Sequence, residues 1–206
     1  FSITQRLSLG SSPGRLALSR NSSVLYVGLT SVGGVALMGL PSMVAIRTIS
    51  LATTLDEVVT YDMIEYLPGH LLVNAEDWWN FTAYLALIRT DQQDRAVRPV
   101  PTSFPGFTPA MTASPDGLTI YMTRAQGAIK IDALTLITGS TFALKSVQFP
   151  QNRWGVTTQQ AAVSPDGRRL YVAEGLVVDA QTLDLIAELP ATGIPVLNGD
   201  GSRCYW

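Results

Sequence analysis

One segment of this chain recurs with the composition of a tight hairpin turn. Residues 163–172 read VSPDGRRLYV, and residues 113–122 read ASPDGLTIYM. In such a segment proline presets φ for the second position of a type I turn, aspartate accepts local backbone hydrogen bonds, and glycine follows. Apolar residues flank the turn on both sides, so each copy predicts two antiparallel strands joined by a short connection.

Three looser copies extend the pattern along the chain. They are LSRNSSVLYV at residues 18–27, LPGHLLV at residues 67–73 and LNGDGSRCYW at residues 197–206. When the five copies are aligned on the serine that opens the Ser-Pro-Asp-Gly turn, the equivalent positions are residues 19, 67, 114, 164 and 198. Recurrence at such intervals indicates that the fold repeats one supersecondary unit.

Each hairpin is followed by two further apolar runs separated by a polar turn, as at residues 176–178 and 183–189. Four strands, here called a, b, c and d, repeated every 40 to 50 residues or so are typical of a β-propeller blade. We therefore predict an all-β chain in which residues 1–206 form a single propeller domain of four whole antiparallel blades. Residues 1–9 are expected to add a d strand before the first blade, and the last copy adds an a–b pair. Residues 53–66 are ambiguous between helix and strand.

The hairpin motif together with a strand that ends in Asp-Ala-x-Thr-Leu resembles the YVTN-type β-propeller repeat. The second half of that pattern occurs at residues 132–136 and 179–183, whereas the first copy lacks Pro-Asp-Gly and the second lacks the aspartate. The resemblance implies a seven-bladed ring, and we expect the 206 residues to be part of such a larger propeller or assembly. A five-bladed ring with an irregular closing blade is the alternative.

Composition narrows the function classes. Only 15% of the residues are charged and the net charge is -2, which argues against a nucleic-acid partner held by phosphate contacts. One cysteine and one histidine leave no cysteine-rich or histidine-rich metal site, so we predict neither a metal nor a cofactor. The uncharged stretch between Arg20 and Arg47 is interrupted by glycine and proline, which favours strands over a membrane span.

The connections of the predicted blades differ in length on the two faces. The a–b and c–d turns are short, whereas the b–c and d–a loops contain insertions at residues 51–61, 74–82, 99–108 and 145–158. Since loops held by a rigid scaffold commonly bind ligands, we predict a binding site on the second face. Its candidate residues are Glu76, Asp77, Trp78, Trp79, Arg153 and Trp154. Alternatively, the tryptophan rings pack beneath their own loops.

Three functions remain open at this point. The first is a non-catalytic, extracytoplasmic interaction module that binds a protein or a carbohydrate, with no catalytic residue. The second is an enzyme resembling the propeller lactonases or quinoprotein dehydrogenases, for which Asp56, Glu57, Glu76 and Asp77 are candidate carboxylates. The third is a structural domain of a larger assembly. The strand-b tyrosines, the turn aspartates and His70 are expected to be structural or surface residues.

Overall fold

The computed structural model describes residues 12–30, 33–51, 58–77, 82–91, 98–100, 110–126, 128–138, 141–150, 160–173, 175–190 and 193–206. Every regular element within these ranges is a β-strand. The chain forms two compact units, Phe1–Thr108 and Pro109–Trp206. No helix among the described residues has the length and apolar character needed to cross a membrane.

The first unit contains two four-stranded antiparallel sheets whose strands follow one another in chain order. Their strands are β1 (Pro13–Leu18), β2 (Val24–Leu29), β3 (Gly34–Gly39) and β4 (Val44–Ser50), then β5 (Val58–Leu67), β6 (His70–Asp77), β7 (Thr82–Arg89) and β8 (Arg98–Val100). This order is the predicted a–b–c–d meander. The ambiguous residues 53–66 resolve as strand from Val58 onward.

The second unit contains two more four-stranded meanders and a two-stranded sheet. Their strands are β9 (Ala110–Ala113), β10 (Thr119–Gln126), β11 (Ala128–Thr138) and β12 (Thr141–Phe149), then β13 (Ala161–Val163), β14 (Arg169–Val172), β15 (Leu176–Asp179) and β16 (Leu185–Glu188), and finally β17 (Val196–Leu197) with β18 (Cys204–Tyr205). The last pair is the predicted a–b hairpin. Residues 1–9, predicted as a further d strand, lie outside the described residues.

The core lies on the inner strands b and c of each meander. Strand β3 is buried along almost its whole length, and its apolar residues serve both faces of the sheet. In the first unit Val35 and Leu37 of β3 pack with Leu71 and Val73 of β6. The outer strands β4 and β12 are largely exposed by comparison. Near-continuous apolar runs in the inner strands are what burial on two faces requires.

The repeated turns have one geometry. The amide of the fourth residue donates to the carbonyl of the first in each case: Gly117 to Ser114 and Gly167 to Ser164, both at 2.8 Å, and Gly201 to Asn198 at 2.9 Å. The glycines have positive φ values of 76°, 71° and 70°. The predicted hairpin turns are thereby confirmed.

The loops predicted on the second face are shorter than expected. Residues 58–61 belong to β5, residues 74–77 to β6 and residues 145–149 to β12. Strand β6 is paired on both sides, and this pairing keeps its polar last residues in the sheet. Asp77 pairs with Val58 of β5 and with Thr82 of β7. The rest of these predicted loops lies largely outside the described residues.

Candidate functional site

Each sheet has two ends with different connections. We call the end where strands a and b, and strands c and d, are joined the turn end, and the opposite end the loop end. Glu76 and Asp77, predicted as loop residues, are instead the last two residues of strand β6, where they pair with β5 and β7 at the loop end of the second sheet. Trp78, Trp79, Arg153 and Trp154 lie outside the described residues, as do Asp56 and Glu57. The predicted loop site therefore stays a prediction.

The strand-b tyrosines link one repeat to the next. The hydroxyl of Tyr26 donates to Glu65 Oε1 at 2.7 Å, and that of Tyr121 donates to the carbonyl of Ala180 at 2.9 Å. The ring of Tyr171 meets that of Trp206 edge-on, with centroids 6.5 Å apart. Burial raises the pKa of Tyr121 to about 12, as expected for a phenol that loses its water shell. These three tyrosines pack between repeats, as predicted, whereas the fourth strand-b tyrosine, Tyr205, was expected to pack in the same way and is 55% exposed.

A buried carboxylate that sequence reasoning missed joins the first two repeats. Glu65 is only 8% exposed, and its Oε1 accepts from the Tyr26 hydroxyl and, at 3.1 Å, from the amide of Gly69. Its Oε2 accepts from the amide of Arg20 at 2.5 Å. The one available signal was that Arg20 stands where three of the four other copies have proline, which restores a backbone donor.

The turn aspartates satisfy their own turns. Asp116 Oδ1 accepts from the Ser114 hydroxyl at 2.5 Å and from the amide of Leu118 at 2.9 Å. Asp166 repeats this pattern, and the Ser164 hydroxyl together with the amide of Arg168 holds the pKa of Asp166 below its usual range. Asp200 accepts from the amide of Ser202 at 2.9 Å. Their predicted structural role is confirmed.

His70 opens strand β6 rather than standing within the turn. Its Nδ1 lies 3.1 Å from the carbonyl oxygen of Pro68, and its ring meets that of Tyr66 edge-on at 5.9 Å between centroids. Pro68 followed by Gly69 with a φ of 73° matches the central pair of a type II turn. The contacts of His70 are those of a residue that stabilises this turn.

Exposed apolar side chains recur on the outermost strands, close to the turn end. Val44 and Ile46 of β4 are 61% and 55% exposed, Leu144 of β12 is 51% exposed, and Ile186 of β16 is 51% exposed. Single exposed apolar residues are common on protein surfaces. They occur on the outer strand of each of the three sheets whose outer-strand side chains are described, which distinguishes this arrangement from scattered exposure. This second candidate surface was not predicted from the sequence.

Within the described ranges, no three His, Cys, Asp or Glu residues are grouped so that they can hold a metal ion. The buried carboxylate of Glu65 faces hydrogen-bond donors of the protein itself.

Comparisons with known proteins bear on the fold. No family model and no curated protein matches the sequence. Among solved structures, a chain of the mitotic checkpoint complex matches with a TM-score of 0.68 at 12% identity, over 92% of this chain and 54% of that one. A β-propeller domain from Myceliophteria thermophila matches with a TM-score of 0.61 at 13% identity, over 94% and 63%. The periplasmic gluconolactonase of Pseudomonas aeruginosa matches with a TM-score of 0.63 at 16% identity, over 93% and 62%.

The chain thus has the fold of a β-propeller built from four-stranded antiparallel blades, as predicted. It spans between 54% and 63% of the length of these three structures. At such identities the likeness concerns the fold alone, because propellers with unrelated functions share it.

Proposed function

We propose that this chain is a non-catalytic propeller module that binds a protein partner, built from repeats of the YVTN type. The observation that carries the proposal is the recurrence of exposed apolar residues on the outermost strands, such as Val44 and Ile46. Exposed edge strands usually carry charged residues that prevent association, so exposed apolar side chains on these strands favour contact with a partner. The likeness to a chain of the mitotic checkpoint complex is in keeping with a role in assembly.

The loop end offers a second contact surface within the same proposal. Trp78 and Trp79 directly follow Glu76 and Asp77 in the sequence, and Arg153 precedes Trp154. Tryptophan and arginine are the residue types that most often dominate binding energy at protein interfaces. A carbohydrate that stacks on the tryptophan rings is the variant of this idea that uses the same residues.

Recovery of partners from the native host tests the proposal. Tagged wild-type protein and the variants Val44→Ser/Ile46→Ser and Trp78→Ala/Trp79→Ala would be purified in parallel, and co-purifying proteins quantified by mass spectrometry. Loss of an apolar anchor typically weakens binding by about tenfold or more, so recovery should fall by that order in the first variant. Leu118→Ser is the matched control, since Leu118 is 46% exposed but lies in an a–b turn.

The outcomes separate the two surfaces. A selective loss in the outer-strand variant supports that surface, and a selective loss in the tryptophan variant moves the interface to the loop end. Equal recovery with wild type, both variants and the Leu118→Ser control would remove both. Circular dichroism of each variant checks that the fold is intact.

A lactonase is the alternative from a different function class. The likeness to a periplasmic gluconolactonase motivates it, together with the loop-end carboxylates Glu76 and Asp77. Hydrolysis of a gluconolactone, followed by titration of the released acid, tests this directly. Activity that Glu76→Gln abolishes would favour the enzyme over the binding module.

An extracytoplasmic location also belongs to the proposal, and fractionation of native cells tests it.

A further inference from the structure

We propose that the pair Asn198–Gly199, in the turn of the last hairpin, is a site of spontaneous modification at which the side-chain amide of Asn198 is hydrolysed through a cyclic succinimide. The reaction consumes water and needs neither an enzyme nor a cofactor. It stands independently of the protein-binding function proposed above. The place of the pair in the repeated turn and the hydrogen bonds of the Asn198 side chain point to it.

The last copy of the repeated turn combines a side-chain amide with a backbone nucleophile. Residues 198–201 read NGDG, whereas residues 114–117 and 164–167 read SPDG. In the two SPDG copies the first residue has no side-chain carbonyl, and the second is proline, whose nitrogen carries no hydrogen. In the last copy a carboxamide is followed directly by the N–H of glycine, so the side-chain carbonyl and an attacking nitrogen are neighbours.

Asn198 takes the place of the serine in the other turns, and its oxygen has the same structural role. Asn198 Oδ1 accepts from the amide of Arg203 at 2.8 Å, as Ser164 Oγ accepts from the amide of Arg169 at 2.9 Å. An N–H donor at this oxygen stabilises the negative charge that develops on it when a nucleophile attacks Cγ. The turn therefore holds an activating donor on the carboxamide.

The attacking residue is uncrowded. Gly199 is exposed, and a Cβ built on it would meet no heavy atom within 4 Å, its chain neighbours aside. Its φ is not positive, in contrast to the 70° of Gly201 in the same turn. The turn therefore does not require glycine at position 199, and alanine fits there without a clash or backbone strain.

The reaction balances with one molecule of water. The Gly199 nitrogen gives its proton to solvent and bonds to Cγ of Asn198, which closes the succinimide ring. Nδ2 then leaves as ammonia, and the Ser202 hydroxyl, 3.0 Å from Nδ2, is within reach to supply the proton. Water opens the ring at either carbonyl, which yields aspartate or isoaspartate.

Both products disturb the last hairpin. The Asn198 amide donates to Ser202 Oγ and is hydrogen-bonded to the carboxylate of Asp200. A carboxylate at position 198 has no N–H to donate and places a second negative charge beside Asp200. Trp206, which follows β18, meets the ring of Tyr171 in the preceding repeat, so the modification weakens the hairpin that makes this contact.

Incubation of the purified full-length protein in mildly alkaline buffer tests the site. Trypsin releases residues 170–203, in which Asn198 is the one asparagine, and mass spectrometry measures the exchange of –NH2 for –OH. Hydroxylamine attacks a succinimide and cleaves the chain between residues 198 and 199 only where the ring forms. Ring opening gives a mixture of aspartate and isoaspartate, whereas direct hydrolysis of the amide gives aspartate alone.

The decisive variant is Gly199→Ala, because its methyl group hinders the attacking nitrogen and leaves the turn intact. The rate of conversion at Asn198 should fall about tenfold, as expected when the geometry of attack is impaired. Asn21 is the internal control. It is exposed in the turn of the first repeat, but the side chain of Ser22 hinders the same attack, so it should stay unmodified.

Asn198→Asp encodes one product directly and tests the effect on the hairpin. Loss of the amide donor should lower Tm by about 2–4 °C relative to wild type. A Tm equal to that of wild type would overturn the predicted weakening.

Conversion of Asn198 that hydroxylamine traps and Gly199→Ala slows supports the site. An Asn198 that stays unmodified overturns the proposal, and a parallel incubation in urea shows that the assay detects the reaction. Equal rates in wild type and Gly199→Ala, or aspartate as the sole product, overturn the succinimide route. Conversion of Asn21 at the same rate overturns the assignment to this turn.

Discussion

The buried carboxylate of Glu65 offers the sharpest test of how the first two repeats are held together. In Tyr26→Phe the hydroxyl that donates to Glu65 Oε1 at 2.7 Å is lost, while that oxygen keeps the amide of Gly69. Hydrogen bonds to charged groups contribute about 1.5–3 kcal/mol. The Tyr26 oxygen also accepts a hydrogen bond from the Thr90 side chain, which the variant loses as well. Because no buried acceptor is orphaned, we expect a loss of about 2–3 kcal/mol in the free energy of unfolding.

The matched control is Tyr121→Phe in the second unit. Its hydroxyl donates to the neutral carbonyl of Ala180 at 2.9 Å, and neutral hydrogen bonds contribute about 0.5–1.5 kcal/mol. Glu65→Gln provides the other arm of a double-mutant cycle. The carboxamide presents one acceptor oxygen to three donors, so an N–H is left facing an NH2 group, at a cost of about 2–3 kcal/mol.

Urea unfolding, monitored by circular dichroism, is measured for wild type, Tyr26→Phe, Glu65→Gln and the double variant. Together these four measurements give the coupling energy between Tyr26 and Glu65. We expect about 1–2 kcal/mol, since the two groups are in direct contact. A coupling near zero, or a Tyr26→Phe loss no larger than that of Tyr121→Phe, would refute the reasoning that the charge of Glu65 strengthens this bond.

Three further predictions concern single positions. Ser22 has a φ of 57° at the place where other turns have glycine, so Ser22→Gly should stabilise the protein by about 0.5–1 kcal/mol in urea unfolding; a loss of stability would contradict this. A Cβ built on Gly201 would lie 2.5 Å from Pro165 Cδ, whereas one on Gly167 meets Pro115 Cδ only at 3.6 Å. Gly201→Ala should therefore lower Tm more than Gly167→Ala, although both share the strain of a positive φ, and equal losses would disprove the proposed clash. The pKa of Tyr121 is raised to about 12, so the folded state resists its ionisation: the stabilisation is complete below about pH 10 and is lost as pH rises through about 12. Urea unfolding across that range should show less of this loss in Tyr121→Phe, and an identical pH profile would contradict the assignment.

The hairpins could be predicted from the sequence because their information is local. Proline, aspartate and glycine each specify one feature of the turn within four residues, and the structure shows those features at Ser114 and Ser164. Strand ends were predicted less well. The ladder that extends β6 to Asp77 depends on pairing with both β5 and β7, and no local pattern reports two partners.

The motif Asp-Ala-x-Thr-Leu, which occurs at residues 132–136 and 179–183, has different structural roles in two repeats. In the fourth repeat Asp179 begins the turn between strands c and d, and its carboxylate accepts from the amides of Gln181 and Thr182. In the third repeat the matching Asp132 lies in the middle of β11, where it contacts Lys130 and Ser146. Strand β11 continues to Thr138, so its turn comes later. A motif predicts the role of its aspartate only when the strand length around it is known.

The first repeat departs from the motif, and the departure is matched by its neighbour. In the second unit, successive turns meet as proline against glycine: Pro115 faces Gly167, and Pro165 faces Gly201. In the first unit Arg20 replaces that proline, and its amide donates to Glu65 of the next repeat, while its guanidinium donates to the carbonyl of Tyr66 at 3.0 Å. A proline at position 20 has no N–H to offer, and Glu65 without that donor is a buried charge with one partner fewer. The two changes therefore depend on each other. In the sequence, the first two repeats look degenerate. In the structure, the polar contact between Arg20 and Glu65 replaces the apolar contact between proline and glycine.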